Sequence, residues 1–481
     1  MLTRLLKNAV SLIFASLIDK VAYAVLFIII ARKLTKAEFG AYNLVLTLIF
    51  IGGMIVNFGM ENVIIREVAK DRNQARVYFS NAIFLGFIFS LLSWPMMIVL
   101  AHLLKYDPEV IFLMSFGGAA FVFMGFGQIA AAIIKGHERM DLFAVISVCY
   151  SIVALGFNVV VLWYWGTVTS LVVALFITEV VKATTFAAIV HRYFARIQWR
   201  LDRDVVIQIL RLSVPFALLM AFGVLLHRTD LLMLGWLKPL DEVAVYGMAA
   251  RFTDILSLIS GSLIGALYPA LSAKMNSTRE EQWSLFTESI AIFAICGFGA
   301  SLLLIVLAEP IILMLFGSSY VVGTSTLRWL GSAFLFSMLS GPVGTLLLAA
   351  GDQMKRLMFM GAILLGSSIL LNLWLIPIYS YKGAAISTFS CTVLGFLFRL
   401  ALSRIYFGRL PHLLKIIWRA FAASAVMGLT LSFSQGFHPV LSIVVGGFVY
   451  TIMLMFLGEF REVRYAPIKV RILQFLRRPS P

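Results

Sequence analysis

The chain has 481 residues, of which 61% are hydrophobic and 13% charged, and its formal net charge is +16. Soluble domains carry roughly 45–50% apolar and about 25% charged residues, so this composition excludes a water-soluble globular protein. It also leaves no room for a hidden soluble domain, because the longest polar stretch, His191 to Gln208, is too short to bury a core of its own.

Stretches of about 20 apolar residues, enough to cross a hydrocarbon core, are predicted in chain order near 9–31, 42–65, 78–101, 110–134, 142–164 and 168–190. A polar linker at 191–211 follows, then stretches near 212–234, 244–268, 285–307, 326–348, 357–377 and 383–403, and a last pair near 416–434 and 440–458. Arg4 and Lys7 precede the first stretch as they would in a signal peptide. Asp19 and Lys20 interrupt it, however, and no small-residue cleavage site closes it, so it reads as a retained helix. The predicted fold is an all-α polytopic membrane protein of about 14 transmembrane helices.

Basic charge could mark a nucleic-acid binder, but its distribution says otherwise. With the N-terminus cytoplasmic, 28 Lys and Arg fall on the inner side and 6 on the outer, which is the positive-inside pattern and places both termini inside. The charge is spread over every inner loop instead of forming one patch, which argues against nucleic acid as a partner. Cys149, Cys296 and Cys391 lie inside apolar segments and read as small core residues, not as a disulfide set or a metal site. Arg461 to Arg478 form a basic tail with interleaved apolar residues, suited either to anionic lipid or to an ordinary stop-transfer role.

The chain repeats itself weakly. A shift of 204 places Glu38 on Glu242, Tyr42 on Tyr246 and Ala69-Lys70 on Ala273-Lys274. With a few inserted residues Gly136 falls on Gly351, Asn158 on Asn372, Gly166 on Gly383, Ser170 on Ser387 and Lys182 on Arg399. The repeat predicts a lobe at 1–190, a cytoplasmic linker at 191–211, a like-oriented lobe at 212–403, an additional helix pair at 404–458 and a basic tail at 459–481. Two such lobes would rock about a central cleft.

Charges inside the helices single out candidate residues, since an Asp, Lys or Arg at mid-membrane costs roughly 2.5–3.5 kcal/mol on the insertion scale. Asp19 and Lys20 stand adjacent in the first helix, about 100° apart, and cannot fully satisfy each other. His227 and Asp230 share a face of the seventh helix at i, i+3, with Arg228 turned aside, and Arg251 and Asp254 repeat that spacing in the eighth. Glu179 with Lys182 reads as an ion pair that holds helices together. A desolvated cation is the group that a phosphate or diphosphate entering such a bundle would need, which makes Lys20, Arg228 and Arg251 the candidate substrate-binding residues. Asp19, Glu61, His227, Asp230 and Asp254 are candidate ion-coupling or cavity residues. Acids and bases nearly balance, so counting alone does not define a cationic cavity. No Gly-rich phosphate loop, His-Glu-x-x-His or nucleophile elbow is present, so no catalytic residue, metal or cofactor is expected.

The runs Ala31-Arg32-Lys33-Leu34, Glu38-Phe39-Gly40-Ala41-Tyr42, Gly59 and Arg66 resemble the opening of the polysaccharide transporter family, within the multidrug/oligosaccharidyl-lipid/polysaccharide exporter superfamily. Arg228-Thr229-Asp230-Leu231-Leu232-Met233-Leu234-Gly235, Val245-Tyr246, Ala249-Ala250-Arg251 and Pro269-Ala270-Leu271-Ser272 are similar to the start of that family's second lobe. The resemblance implies flipping of a polyprenyl-diphosphate-linked oligosaccharide (an O-antigen, capsule or exopolysaccharide unit) across a bacterial cytoplasmic membrane. It implies membrane lipids, a polysaccharide polymerase and chain-length proteins as partners, and a cavity between helices one, two, seven and eight. Rival readings are a drug/cation antiporter of the same superfamily, a peptidoglycan-precursor flippase, or a membrane-embedded polymerase or ligase. Energy would come from a proton or sodium gradient acting on Asp19, Asp230 or Asp254, or from consumption of the product outside.

Overall fold

The computed structural model describes residues 2–196, 201–275, 277–350, 354–433 and 438–459; the basic tail from Arg461 to Arg478 and the repeat position Gly351 lie outside them. The described residues form sixteen α-helices and two short 3-10 turns, with no strand. The first eight are α1 (Leu2–Lys33), α2 (Lys36–Asn57), α3 (Met60–Lys70), α4 (Ala75–Leu103), α5 (Pro108–Gly117), α6 (Ala120–Gly136), α7 (Met140–Tyr164) and α8 (Val168–Tyr193). The remainder are α9 (Arg203–Leu237), α10 (Leu240–Ala273), α11 (Arg279–Val306), α12 (Ala308–Phe316), α13 (Thr324–Ala350), α14 (Met354–Phe407), α15 (Leu413–Phe433) and α16 (Pro439–Phe456).

Twelve helical stretches are long and apolar enough to cross a membrane, or thirteen if α5 and α6, bent by 45° at their junction, make one span. α14 enters that count once, although it is not straight. Ser380 within it has a left-handed φ of 54°, and the Ser387 hydroxyl lies 3.5 Å from the Ser368 carbonyl. A straight helix would hold residues 19 apart at about 28 Å, so α14 folds back as a hairpin, as the separate stretches at 357–377 and 383–403 require. Gly383 permits the reversal: a Cβ there would run into the Leu375 carbonyl.

The chain divides into two compact units, one of residues Met1–Arg251 with Gly361–Ser387, the other of Phe252–Met360 with Thr388–Pro481. In the first unit, α2 starts with a capping box in which Thr35 Oγ1 accepts from the Glu38 amide (3.3 Å) and Glu38 Oε2 accepts from the Thr35 amide (2.9 Å). Gly40, one turn on, lies against the main-chain carbonyl of Leu240, where no side chain fits. The break between α2 and α3 falls at Phe58 and Gly59, both left-handed, and a Cβ on Gly59 would stand 2.8 Å from the α9 amide of Ala217. The residues that carry the family resemblance therefore set a helix start and two close helix approaches. Buried hydroxyls stitch helices together in the manner of membrane bundles: Ser93 donates to the Gly52 carbonyl (3.0 Å) and Ser90 has the Phe121 carbonyl within reach (3.0 Å).

In the second unit α11 packs on α13 and on α15. The Tyr450 hydroxyl of α16 donates to the Ile295 carbonyl (2.7 Å), and Met427, Leu431 and Leu454 share a core cluster with Leu307 and Ile311. The last helix pair is thus built into this core. Between α11 and α13 the chain forms α12 and a 3-10 turn, with Phe316 and Tyr320 buried edge to face. Large apolar residues such as Trp163, Phe359 and Phe448 are exposed along the helices, as lipid-facing side chains are. Cys149 is exposed on α7 and is not the core residue expected, while Cys296 and Cys391 are half-buried, and none of the three is in a disulfide.

Candidate functional site

Polar residues inside the first unit gather in two places. One is a pair of adjoining cavities among α1, α3, α6, α7 and α8, of about 210 and 250 Å³; Asp19, Tyr150, Ser151 and Lys182 line both. α1 lies along α7, which brings Asp19 to the Ser151 hydroxyl; Ser151 donates to Asp19 Oδ1 (2.7 Å), with the Ser147 carbonyl also in reach (2.9 Å). On α8, Lys182 stands 3.4 Å from Glu179 Oε1, which also accepts from the Tyr150 hydroxyl (3.3 Å), and the Lys182 ammonium lies over the Tyr150 ring at 5.0 Å. The Glu179–Lys182 pair itself lies within one helix and joins α8 to α7 only through Tyr150. It faces the first cavity.

The second cavity reaches Glu61 on α3. Lys135 of α6 forms a 2.7 Å ion pair with it and lies 4.2 Å from the centre of the Phe143 ring. Asn57 donates to Glu61 (3.3 Å) and to Gln128 (2.8 Å), which joins the end of α2 to this group. Half-buried carboxylates and ammoniums in a membrane bundle are retained for function more often than for stability.

The other gathering lies where α1 and α2 meet α9 and the start of α10. Arg228, Thr229, Asp230 and Arg251 are each less than a tenth exposed. Asp230 accepts from the Leu231 amide (2.9 Å) and from the Tyr246 hydroxyl. Arg228 lies over the Phe50 ring at 5.0 Å, and Arg251 over Phe27 (4.4 Å) and Tyr23 (5.2 Å), with Asn43 Oδ1 accepting from it at 3.5 Å. Gly247 makes room for Asn43, whose side chain would be 2.6 Å from a Cβ there. A guanidinium lying over a ring can keep N–H groups for carboxylate or phosphate oxygens. Tyr23 belongs to both places, since it lines the first cavity and stacks on Arg251.

The remaining candidates are more scattered. Lys20 is half-buried on α1 and lines neither cavity; Asp254 is half-buried, and its carbonyl accepts from Ser257 (2.6 Å). His227 is exposed while Asp230 is buried, so the expected common face is absent: Arg228, Thr229 and Asp230 turn inward together. Sequence reasoning missed Tyr150, Ser151, Gln128 and Lys135. Lys135 read as a loop charge, and the other three are ordinary polar residues until α1, α3, α6, α7 and α8 are packed.

An all-helical bundle with buried arginines and an acid–base cavity is the architecture of a multi-pass membrane transporter. The family profile described as polysaccharide biosynthesis protein matches residues 5–275, and the chain belongs to that family. A Klebsiella pneumoniae protein described as an uncharacterized membrane protein in the cps region is 21% identical over 330 residues, which span 67% of this chain and 66% of that protein. Among solved structures, the lipid II flippase MurJ in an inward closed conformation superimposes with a TM-score of 0.76, covering 95% of this chain and 100% of that one at 14% identity. An inward-facing multidrug resistance MATE family transporter of the MOP superfamily follows with a TM-score of 0.68, covering 81% and 94% at 15% identity. At such identities these two establish the fold alone.

Proposed function

We propose that the protein flips a polyprenyl-diphosphate-linked oligosaccharide across the cytoplasmic membrane by alternating access, with fourteen crossings, both termini inside and two six-helix lobes. The observation that carries this reading is the pair of buried guanidiniums, Arg228 and Arg251, lying over Phe50 and over Phe27 and Tyr23, in a chain of the polysaccharide biosynthesis family. A diphosphate entering a bundle loses its water, and planar N–H forks replace that hydration better than any neutral group. Lys20 joins them as the third cation. No covalent step is required, and a polymerase and chain-length proteins would act on the glycan after it has crossed.

The test is flipping of a defined lipid-linked glycan in vesicles holding the purified protein. Arg228→Ala and Lys20→Ala should abolish flipping at normal protein level in the membrane, and Arg228→Lys should restore only part of it, because an ammonium cannot make two parallel bonds. Alanine variants that insert and flip at full rate would remove these residues from the substrate site. Vesicles that ignore the glycan but exchange a cationic drug would favour the antiporter reading. Labelling of cysteines placed at Lys238 and Lys382 from outside, and at Arg72 and Arg279 from inside, tests the orientation.

A further inference from the structure

We propose that the second cavity of the first unit is a subsite for one neutral pyranose ring of the carried glycan, held by Glu61 and Gln128; this rests on the reading of the chain as a flippase of lipid-linked glycans and deepens it. Among the described residues, the charged groups that line this cavity are two carboxylates, Asp19 and Glu61, and two ammoniums, Lys135 and Lys182. Acid and base balance, so a ligand need bring no charge of its own. A diphosphate or a uronate would meet as many carboxylates as ammoniums. An uncharged ligand with many hydroxyls suits a wall that both donates and accepts.

The orientation of Gln128 is set from behind. Asn57 of α2 is less than a tenth exposed, and its Nδ2 donates both to Glu61 Oε2 (3.3 Å) and to Gln128 Oε1 (2.8 Å). An ionised carboxylate only accepts, so Glu61 decides which end of the Asn57 amide faces it. That amide in turn holds the Gln128 oxygen. Gln128 Nε2 is left as a donor with no acceptor recorded among the described residues, on a side chain that lines the cavity. Asn57 Oδ1 is buried with no donor, a cost that a network built for stability alone would avoid.

Glu61 keeps capacity as well. Lys135 occupies its Oε1 (2.7 Å) and Asn57 its Oε2 (3.3 Å), and each carboxylate oxygen can take a second donor. A sugar hydroxyl is both donor and acceptor, so one hydroxyl donates to Glu61 while it or its neighbour on the ring accepts from Gln128 Nε2. Phe143 and Phe186, tilted on one another at 5.9 Å, add apolar wall for the C–H groups of the ring. At about 250 Å³ the cavity is smaller than the roughly 300–1,000 Å³ of sites for drug-sized ligands, which suits a single ring. The first cavity adjoins it, sharing Tyr150 and Ser151, and Tyr23 of that first cavity lies beneath Arg251. A chain of sugars can therefore run from the guanidinium that meets the diphosphate to this subsite.

The test uses the full chain in lipid nanodiscs, carrying Cys149→Ser, Cys296→Ser and Cys391→Ser together with Ser147→Cys, a position that lines the same cavity. Alkylation of the new thiol by N-ethylmaleimide is timed with free glucose, galactose, mannose, N-acetylglucosamine, glucuronate or pyrophosphate, each against sorbitol at equal concentration. At least one neutral pyranose should slow the reaction severalfold, and glucuronate and pyrophosphate should not. Gln128→Glu keeps the oxygen that Asn57 holds and removes the donor, and Gln128→Met removes both. Each should raise the half-protecting sugar concentration about tenfold, the worth of one hydrogen bond, whereas Arg399→Met should leave it unchanged. Absence of protection by every pyranose, equal protection by glucuronate or pyrophosphate, or Gln128 variants protected at the wild-type concentration would each overturn the proposal. If a sugar protects and no lipid-linked glycan flips in vesicles, the flippase reading fails while the sugar site stands.

Discussion

The weak repeat read from the sequence pairs Lys182 with Arg399, yet the two are surrounded by opposite chemistry. Lys182 has Glu179 one turn before it, a tyrosine ring beneath it and two cavities in front of it. Arg399 has Phe396 one turn before it, part of an apolar cluster with Leu339 and Ala420, and Gly344 of α13 beside it. Its Nε has no acceptor, and no carboxylate lies within ion-pair distance among the described residues. The first unit thus keeps its deep cation as a member of an acid–base network. The second keeps its cation against hydrocarbon, where it adds no titratable partner. A position preserved by a repeat does not preserve its job; the residue three places before it decides.

The strongest perturbation of the paired positions is steric. Gly166 and Gly383 are also paired by the repeat, but a Cβ on Gly383 meets the Leu375 carbonyl, whereas one on Gly166 finds its nearest atom at 3.6 Å. Gly383→Ala should therefore cost about 3 kcal/mol or more through overpacking. Gly166→Ala should cost about 1 kcal/mol, from its left-handed φ of 59°. Thermal unfolding in detergent separates the two; equal effects would mean that the α14 hairpin is looser than its geometry implies.

Next in size is the exchange of each cation for methionine. Lys182→Met leaves Glu179 facing the first cavity without its ion-pair partner, and flipping should fall about tenfold, or roughly 1.4 kcal/mol. Arg399→Met should leave flipping where it is. A comparable loss there would show that Arg399 matters to transport as Lys182 does, and the contrast would break.

Smaller again is the effect of Arg399→Met on stability. Removing a cation with no recorded carboxylate should leave the unfolding free energy unchanged or raise it by about 1 kcal/mol. A loss of several kcal/mol would reveal an anionic partner for Arg399. The smallest effect is expected at Glu38. Its carboxylate closes the α2 capping box, so Glu38→Gln should cost about 0.5 kcal/mol and leave transport intact. Loss of flipping at normal stability would assign this motif residue to the substrate path after all.

Composition and periodicity were sufficient for the class of molecule. Runs of about 20 apolar residues can be satisfied only as helices in lipid, and the predicted stretches fall on helices of the structure, those near 42–65 and 110–134 being broken between α2 and α3 and between α5 and α6. Gly40 and Gly59 could be recognised in the sequence as family residues, although their reason, close approach of α10 and α9, could not. Arg228 and Arg251 stood out because buried charge is expensive wherever it falls. Which charges share a cavity was hidden. The i, i+3 spacing joined His227 to Asp230, and the structure parts them, because the lipid-facing side of α9 is set by its neighbours. The same spacing joined Glu179 to Lys182 and suggested a tie between helices. Only the packing of α1 along α7 and of α8 beside them brings that pair to Asp19, 160 residues away in the chain. Hydrophobic segments record how each helix meets lipid, a local property; a cavity is made by what several helices leave unfilled, and that is decided by tertiary packing alone.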